Sequence, residues 1–85
     1  MNILVRTKSN RAIAGEMTLV CTNPDGGGMI CISYHKNFDI SFENISTIHV
    51  EQNFKLVPID ISHKSNEEIF NILALYYFQN KGIHP

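Results

Sequence analysis

No apolar run in this 85-residue chain approaches the length of a membrane span. The longest, Ile72 to Phe78, falls far short of the roughly 20 residues that cross a bilayer. Net charge is equally scarce: seven Lys and Arg against eight Asp and Glu leave −1, so no whole-molecule field draws the chain to nucleic acid or to an anionic membrane. Two cysteines, Cys21 and Cys31, are too few for a disulfide scaffold and are expected as free thiols. The opening "MNILVRTK" has neither a basic stretch ahead of an apolar core nor a small-residue cleavage site, so it is not expected to act as a secretory leader and a cytoplasmic location is expected. There is no internal repeat and no linker-like or low-complexity tract, so one domain, 1–85, is expected.

What the chain does contain is enough apolar material to fold. It is 44% hydrophobic and 18% charged, the balance of a globular domain. A domain this short buries only roughly 60 to 65% of its unfolded surface, so every additional apolar contact matters to its stability.

The order is strands first and a single helix last. Ile3 and Val5 alternate with Leu4 and Arg6, and Lys8 to Asn10 is turn material, which makes a first hairpin. In the long second strand Ile13, Gly15, Met17, Leu19 and Cys21 share one parity, taken as the core face, with Ala14, Glu16, Thr18, Val20 and Thr22 on the other. Gly15 interrupts the apolar row and is expected to mark a bulge or tight bend that curls the sheet. After "TNPDGGG", Ile30, Ile32 and Tyr34 alternate with Met29, Cys31 and Ser33. Pairing Thr22 with Met29 then sets Cys21 against Ile30, Leu19 against Ile32 and Met17 against Tyr34, with Cys21 inward and Cys31 outward. "FDISFENI" alternates Phe38, Ile40 and Phe42 inward with Asp39, Ser41 and Glu43 outward. A corner at Asn44 to Ser46 precedes a strand burying Ile48 and Val50, and the final strand groups Val57, Ile59 and Ile61 against Phe54 and Leu56. Pro58 cannot donate to a ladder, so that strand belongs at an edge or carries a bulge.

The helix is marked at both ends. Ser65 with Glu68 three residues on forms a capping box, and Lys81, Gly82 and Pro85 supply a stop. On a 3.6-residue wheel Ile69, Phe70, Ile72, Leu73, Tyr76 and Tyr77 make a broad stripe facing the sheet, while Leu75 and Phe78 point to the other side, beside Asn71, Glu67 and Gln79. The expected fold is therefore α+β: a bent antiparallel sheet of five or six strands within 2–61, a roll or partly open barrel, packed against one C-terminal helix at about 66–81, with a short tail at 82–85.

Motifs that would carry chemistry are sparse. A phosphate-binding glycine loop opens a helix, whereas Gly28 is followed by Met29 and a strand, so Gly26, Gly27 and Gly28 read as a hairpin turn. His49 and Glu51 share one strand face at metal-ligand spacing, but a third ligand has to come from afar, from His63, Asp60 or His35; a solvated face is the plainer reading. His84 lies in the tail, where disorder is expected. Neither cysteine has a basic sequence neighbour to activate it, no Ser, His and acid grouping is evident, and no cofactor, metal or catalytic activity is expected.

Three function classes remain. The first is a non-catalytic protein that binds another macromolecule and pairs with itself as a homodimer, through a strip of Leu75, Phe78, Ala74 and Asn71. Frequent Ile and Asn suggest AT-rich coding of the kind found in low-GC bacteria and their phages, which suits a small regulator or inhibitor from a mobile element. The second is a small-ligand protein that takes a nucleotide or other anion on Arg6, Lys8, Arg11 and the Gly26 to Gly28 loop. The third is a small barrel for single-stranded nucleic acid, disfavoured because Phe38, Phe42, Tyr76 and Tyr77 fall on inward faces while Asp39, Glu43 and Glu51 face outward.

Overall fold

The computed structural model describes residues 2–80, with side chains through Phe78. Six strands form one antiparallel sheet: β1 (Asn2–Thr7), β2 (Ala12–Thr22), β3 (Gly28–Tyr34), β4 (Lys36–Ser41), β5 (Ile45–Gln52) and β6 (Lys55–Ile59), in the order β4-β3-β2-β1-β5-β6. The sheet is not closed, and one helix, α1 (Asn66–Asn80), packs on β2 and β3. The α+β roll read from the sequence is the observed architecture. Edge strand β6 contains Pro58, where the missing N–H costs no ladder bond. The stop at Lys81 and Gly82, and the tail, lie outside the described residues.

The strands follow the alternation that burial demands. Ile3 and Val5 of β1, Ile30 and Ile32 of β3, and Ile48 and Val50 of β5 are buried, and Ile69 and Leu73 of α1 join them in one core. Phe70, Tyr76 and Tyr77 pack against its margin. Both halves of the capping box form: Glu68 N donates to Ser65 Oγ and Ser65 N donates to Glu68 Oε1, each at 3.2 Å. Two orphan amides are thereby satisfied where the helix starts.

The second hairpin departs from the expected register. Thr22 pairs with Gly28, Cys21 with Met29, Val20 with Ile30, Leu19 with Cys31 and Met17 with Ile32, and the register shifts between Met17 and Leu19. Thr18 is the extra residue of a bulge, and its Oγ1 donates to the Cys31 carbonyl at 3.4 Å. A bulge reverses parity downstream. Val20, expected to face outward, packs against the core, whereas Leu19 is 49% exposed and Cys21 shares its parity rather than the core's. Cys31 therefore stands opposite Leu19, diagonal to Cys21, and both thiols are free.

Gly15 serves the bend by permitting close approach rather than by bulging. A Cβ there would collide with the Ser33 carbonyl. Phe42 is buried as expected but belongs to a 3-10 turn, Phe42–Asn44, and the anticipated corner at Asn44 to Ser46 is already β5 from Ile45 on. That turn sets the Phe42 ring against Gly28, where any Cβ would overlap it.

The tight turns use left-handed residues. Asn10 (φ 67°) closes the three-residue loop of the first hairpin, with Thr7 N donating to the Arg11 carbonyl at 2.8 Å. Asn53 (φ 51°) and Phe54 (φ 65°) form the two-residue β5–β6 turn. The second position of such a turn favours glycine, and a bulky side chain in this region costs about 1 kcal/mol. Two opposite outcomes are expected in urea unfolding. Gly28→Ala lowers stability by about 1–3 kcal/mol by forcing the Phe42 ring to move, and Phe54→Gly raises it by about 1 kcal/mol.

Candidate functional site

Helix periodicity brings Leu75 and Phe78 together on the side of α1 turned from the sheet, where they are 60% and 51% exposed. Ala74 is half-buried beside them, and Asn71 is exposed one turn earlier. Phe78 is steadied by an edge contact with Tyr77, their ring centroids 5.8 Å apart. At the N-terminal end the strip adjoins a polar cleft lined by Pro24, Gly26, Glu67, Phe70 and Asn71. The sequence-derived strip is thus one continuous face, bounded on one side by the β2–β3 loop.

The anion-binding set does not come together. Arg6, Lys8 and Arg11 surround the β1–β2 turn, where Arg6 Nη1 donates to Asn10 Oδ1 at 3.3 Å. The glycine loop lies at the opposite end of β2. It is a hairpin loop, closed by Asn23 N donating to the Gly27 carbonyl at 2.7 Å and Gly26 N donating to the Asn23 carbonyl at 3.0 Å, with Gly26 left-handed (φ 89°). Gly27 N is occupied by Asp25 Oδ1 at 3.0 Å, and Asn66 Nδ2 donates to the Gly26 carbonyl at 2.9 Å, tying the loop to the start of α1. Asp25 and Glu43 line the adjoining cleft, a setting that opposes an anion.

The candidate metal ligands are likewise dispersed. His49 and Glu51 share the outer face of β5, but Glu51 Oε1 accepts from Asn2 Nδ2 at 3.3 Å. His49 stands in register between Leu4 and Pro58, and its Nδ1 is enclosed without a hydrogen-bond partner among the described residues. His35 turns the β3–β4 hairpin at φ 63° with its ring on Tyr34, while Asp60 accepts from Ser62 N at 2.9 Å, a bond that holds its carboxyl below the usual carboxylate range. Among the described residues no three His, Cys, Asp or Glu side chains gather in a metal-binding group.

Cys31 has a defined partner: its Sγ–H donates to Asp39 Oδ1 across the β3–β4 pair. That hydrogen bond, then burial, then the negative charge of Asp39 push the thiol pKa up, the opposite of what a nucleophile needs. The aromatics Phe38, Tyr76 and Tyr77 are half-buried and Phe42 buried, whereas Asp39, Glu43 and Glu51 are exposed.

Two exposed features escaped the sequence reading. Phe54 is 99% exposed at its turn, a position marked beforehand only by its off-core parity. A groove of about 710 Å³ lies against the first half of β2, with Leu4, Ala12, Ala14, Tyr34, Phe38 and Leu56 in its lining. The small outward residues of "RAIAG" were its only local sign.

These features define a small α+β domain with an open roll, an apolar helix back and a groove at a sheet corner. The chain matches no protein-family model, no curated protein and no solved structure. No helix among the described residues is long and apolar enough to cross a membrane.

The Cys31 environment makes a direct prediction. Asp39→Ala removes the hydrogen bond and the charge that hold the thiol protonated, so the pH profile of Cys31 labelling by a disulfide reagent shifts to lower pH and labelling at neutral pH accelerates. An unchanged profile contradicts the assigned cause.

Proposed function

We propose that this chain is a small non-catalytic interaction protein of the cytoplasm, which pairs with a second copy through the outer face of α1 and acts by occupying the surface of another macromolecule. The observation that carries the reading is the exposure of Leu75 and Phe78 on a helix whose opposite face already supplies the core. Burying such a side chain contributes about 1.5–3 kcal/mol. A domain of this size has few other sources of stability. A standard interface takes about 800 Å² from each partner, more than two side chains provide. Ala74, Asn71 and the adjoining β2–β3 loop supply the remaining rim.

The raised Cys31 thiol and the lack, among the described residues, of three His, Cys, Asp or Glu side chains gathered in one group favour a binding role over catalysis. The anion-binding alternative loses support because its two halves lie at opposite ends of β2. A regulator or inhibitor from a mobile element remains the biological setting that suits this size and composition.

Sedimentation equilibrium of the wild type beside Phe78→Glu is the test. The wild type is expected to sediment as a concentration-dependent dimer and the variant as a monomer with an unchanged circular dichroism spectrum. Monomers in both samples overturn the pairing.

A further inference from the structure

The corner groove faces a strand that lacks a neighbour. β3 pairs with β2 only from Glu16 to Thr22, so Ala12 to Gly15 have a ladder partner on the β1 side alone. The direction of the unused backbone groups follows from the hairpin. Thr7 N bonds the Arg11 carbonyl, and in an antiparallel ladder bonded and non-bonded pairs alternate. Val5–Ile13 and Ile3–Gly15 are then the bonded pairs, whereas Arg6–Ala12 and Leu4–Ala14 are not. Ala12 and Ala14 therefore aim both N–H and C=O away from β1, at the side of β2 that β3 leaves open.

The surroundings select what can use them. Tyr34 and Phe38, from the β3–β4 hairpin, also line the groove, so that hairpin stands beside the open edge. A slot of this kind admits a single added strand and obstructs the flat approach of a second sheet edge. Ala12 and Ala14 present minimal side chains, and Leu4 and Leu56 make the floor apolar. Charge at the edge is concentrated at one end, where Arg11 lines the groove with Arg6 and Lys8 nearby, whereas Glu51 lies on β5 beyond β1 and is tied to Asn2.

The geometry points to a peptide-docking site: an extended segment of a partner protein adds to the open edge of β2 at Ala12 to Ala14, antiparallel to it. Its acidic residue lies near Arg11 at its C-terminal end, and apolar residues precede it along the edge. Main-chain hydrogen bonds hold the segment, the pairing of its acidic end with Arg11 sets its direction, and Tyr34 and Phe38 flank its apolar centre. This deepens the proposed function by giving the partner a chemistry, and it rests on a surface separate from the helix strip.

Fluorescence anisotropy with two labelled peptides tests it: acetyl-Lys-Val-Thr-Val-Glu-amide and its charge-reversed form, acetyl-Glu-Val-Thr-Val-Lys-amide. The first is expected to bind about tenfold more tightly than the second, and Arg11→Glu is expected to narrow or invert that preference. Ala14→Pro removes one groove-facing N–H without touching the β1 ladder and is expected to weaken the first peptide about tenfold or more. Methylating that peptide's backbone amides gives the same loss on unaltered protein, which covers the case of a variant that misfolds. Phe78→Glu retains binding, so a failed helix dimer and a failed peptide site give different results. Equal affinity for both peptides, no binding of either, or insensitivity to amide methylation overturns the proposal. So does a dimer that dissociates in Ala14→Pro but persists in Phe78→Glu, because the edge then belongs to a second copy.

Discussion

The rest of this fold depends on the way β2 changes partners along its length. An 11-residue strand that stayed flat would carry β1 and β3 side by side from end to end. Instead the close approach of the Ser33 carbonyl to Gly15 and the extra residue at Thr18 turn the strand within a few residues. The first half of β2 joins β1 and the second half joins β3, which lets a six-stranded sheet wrap its own core without closing. The same turn decides which side chains are buried, because each residue after Thr18 faces the side opposite to simple alternation. Val20 enters the core, and Leu19 and Cys21 move to the other face.

Packing against the curved sheet is completed by few residues. Ile69 and Leu73 bring α1 onto β2 and β3, and the helix start is held by the reciprocal Ser65 and Glu68 bonds and by Asn66 on the Gly26 carbonyl. Gly28 and Phe42 do comparable work at the same end of the roll: the missing side chain at one position makes room for the ring at the other. With so small a core, apolar side chains left outside it stand out. Leu75 and Phe78 lie on the helix back, Leu19 and Leu56 on the outer sheet, and Phe54 occupies a strained turn position that a glycine would fill at lower cost. Their distribution over separate surfaces suits a protein whose work is contact.

Much of the architecture was legible because its causes are local. Ser65 and Glu68 announce the helix within four residues, and the alternation of Phe38, Ile40 and Phe42 gives the correct inward set even though the last of them sits in a 3-10 turn. Pro58 limited the last strand to an edge or a bulge, and the edge is where it lies. The β2–β3 register was not legible. Thr18 carries no glycine-like mark of a bulge, and Leu19 and Val20 are so alike in hydrophobicity that either parity buries one of them. Among the surfaces, the helix strip could be read from a wheel because it belongs to one element. The groove could not, because it exists only where β3 leaves β2 at Glu16 while Tyr34 and Phe38 remain alongside. The anion-binding set was not brought together for the converse reason: residues that look complementary in the sequence are held apart by the length of β2.

Native-state amide exchange along β2 tests the change of partners most directly, since protection reports on bonded amides one at a time. The account predicts that Ile13 and Gly15 are protected by β1 while Ala12 and Ala14 exchange fast, and that from Glu16 onward the protected amides are those that face β3. Uniform protection from Ala12 to Thr22 would show a strand paired on both sides throughout, and would contradict the bend, the bulge-dependent register and the open edge together.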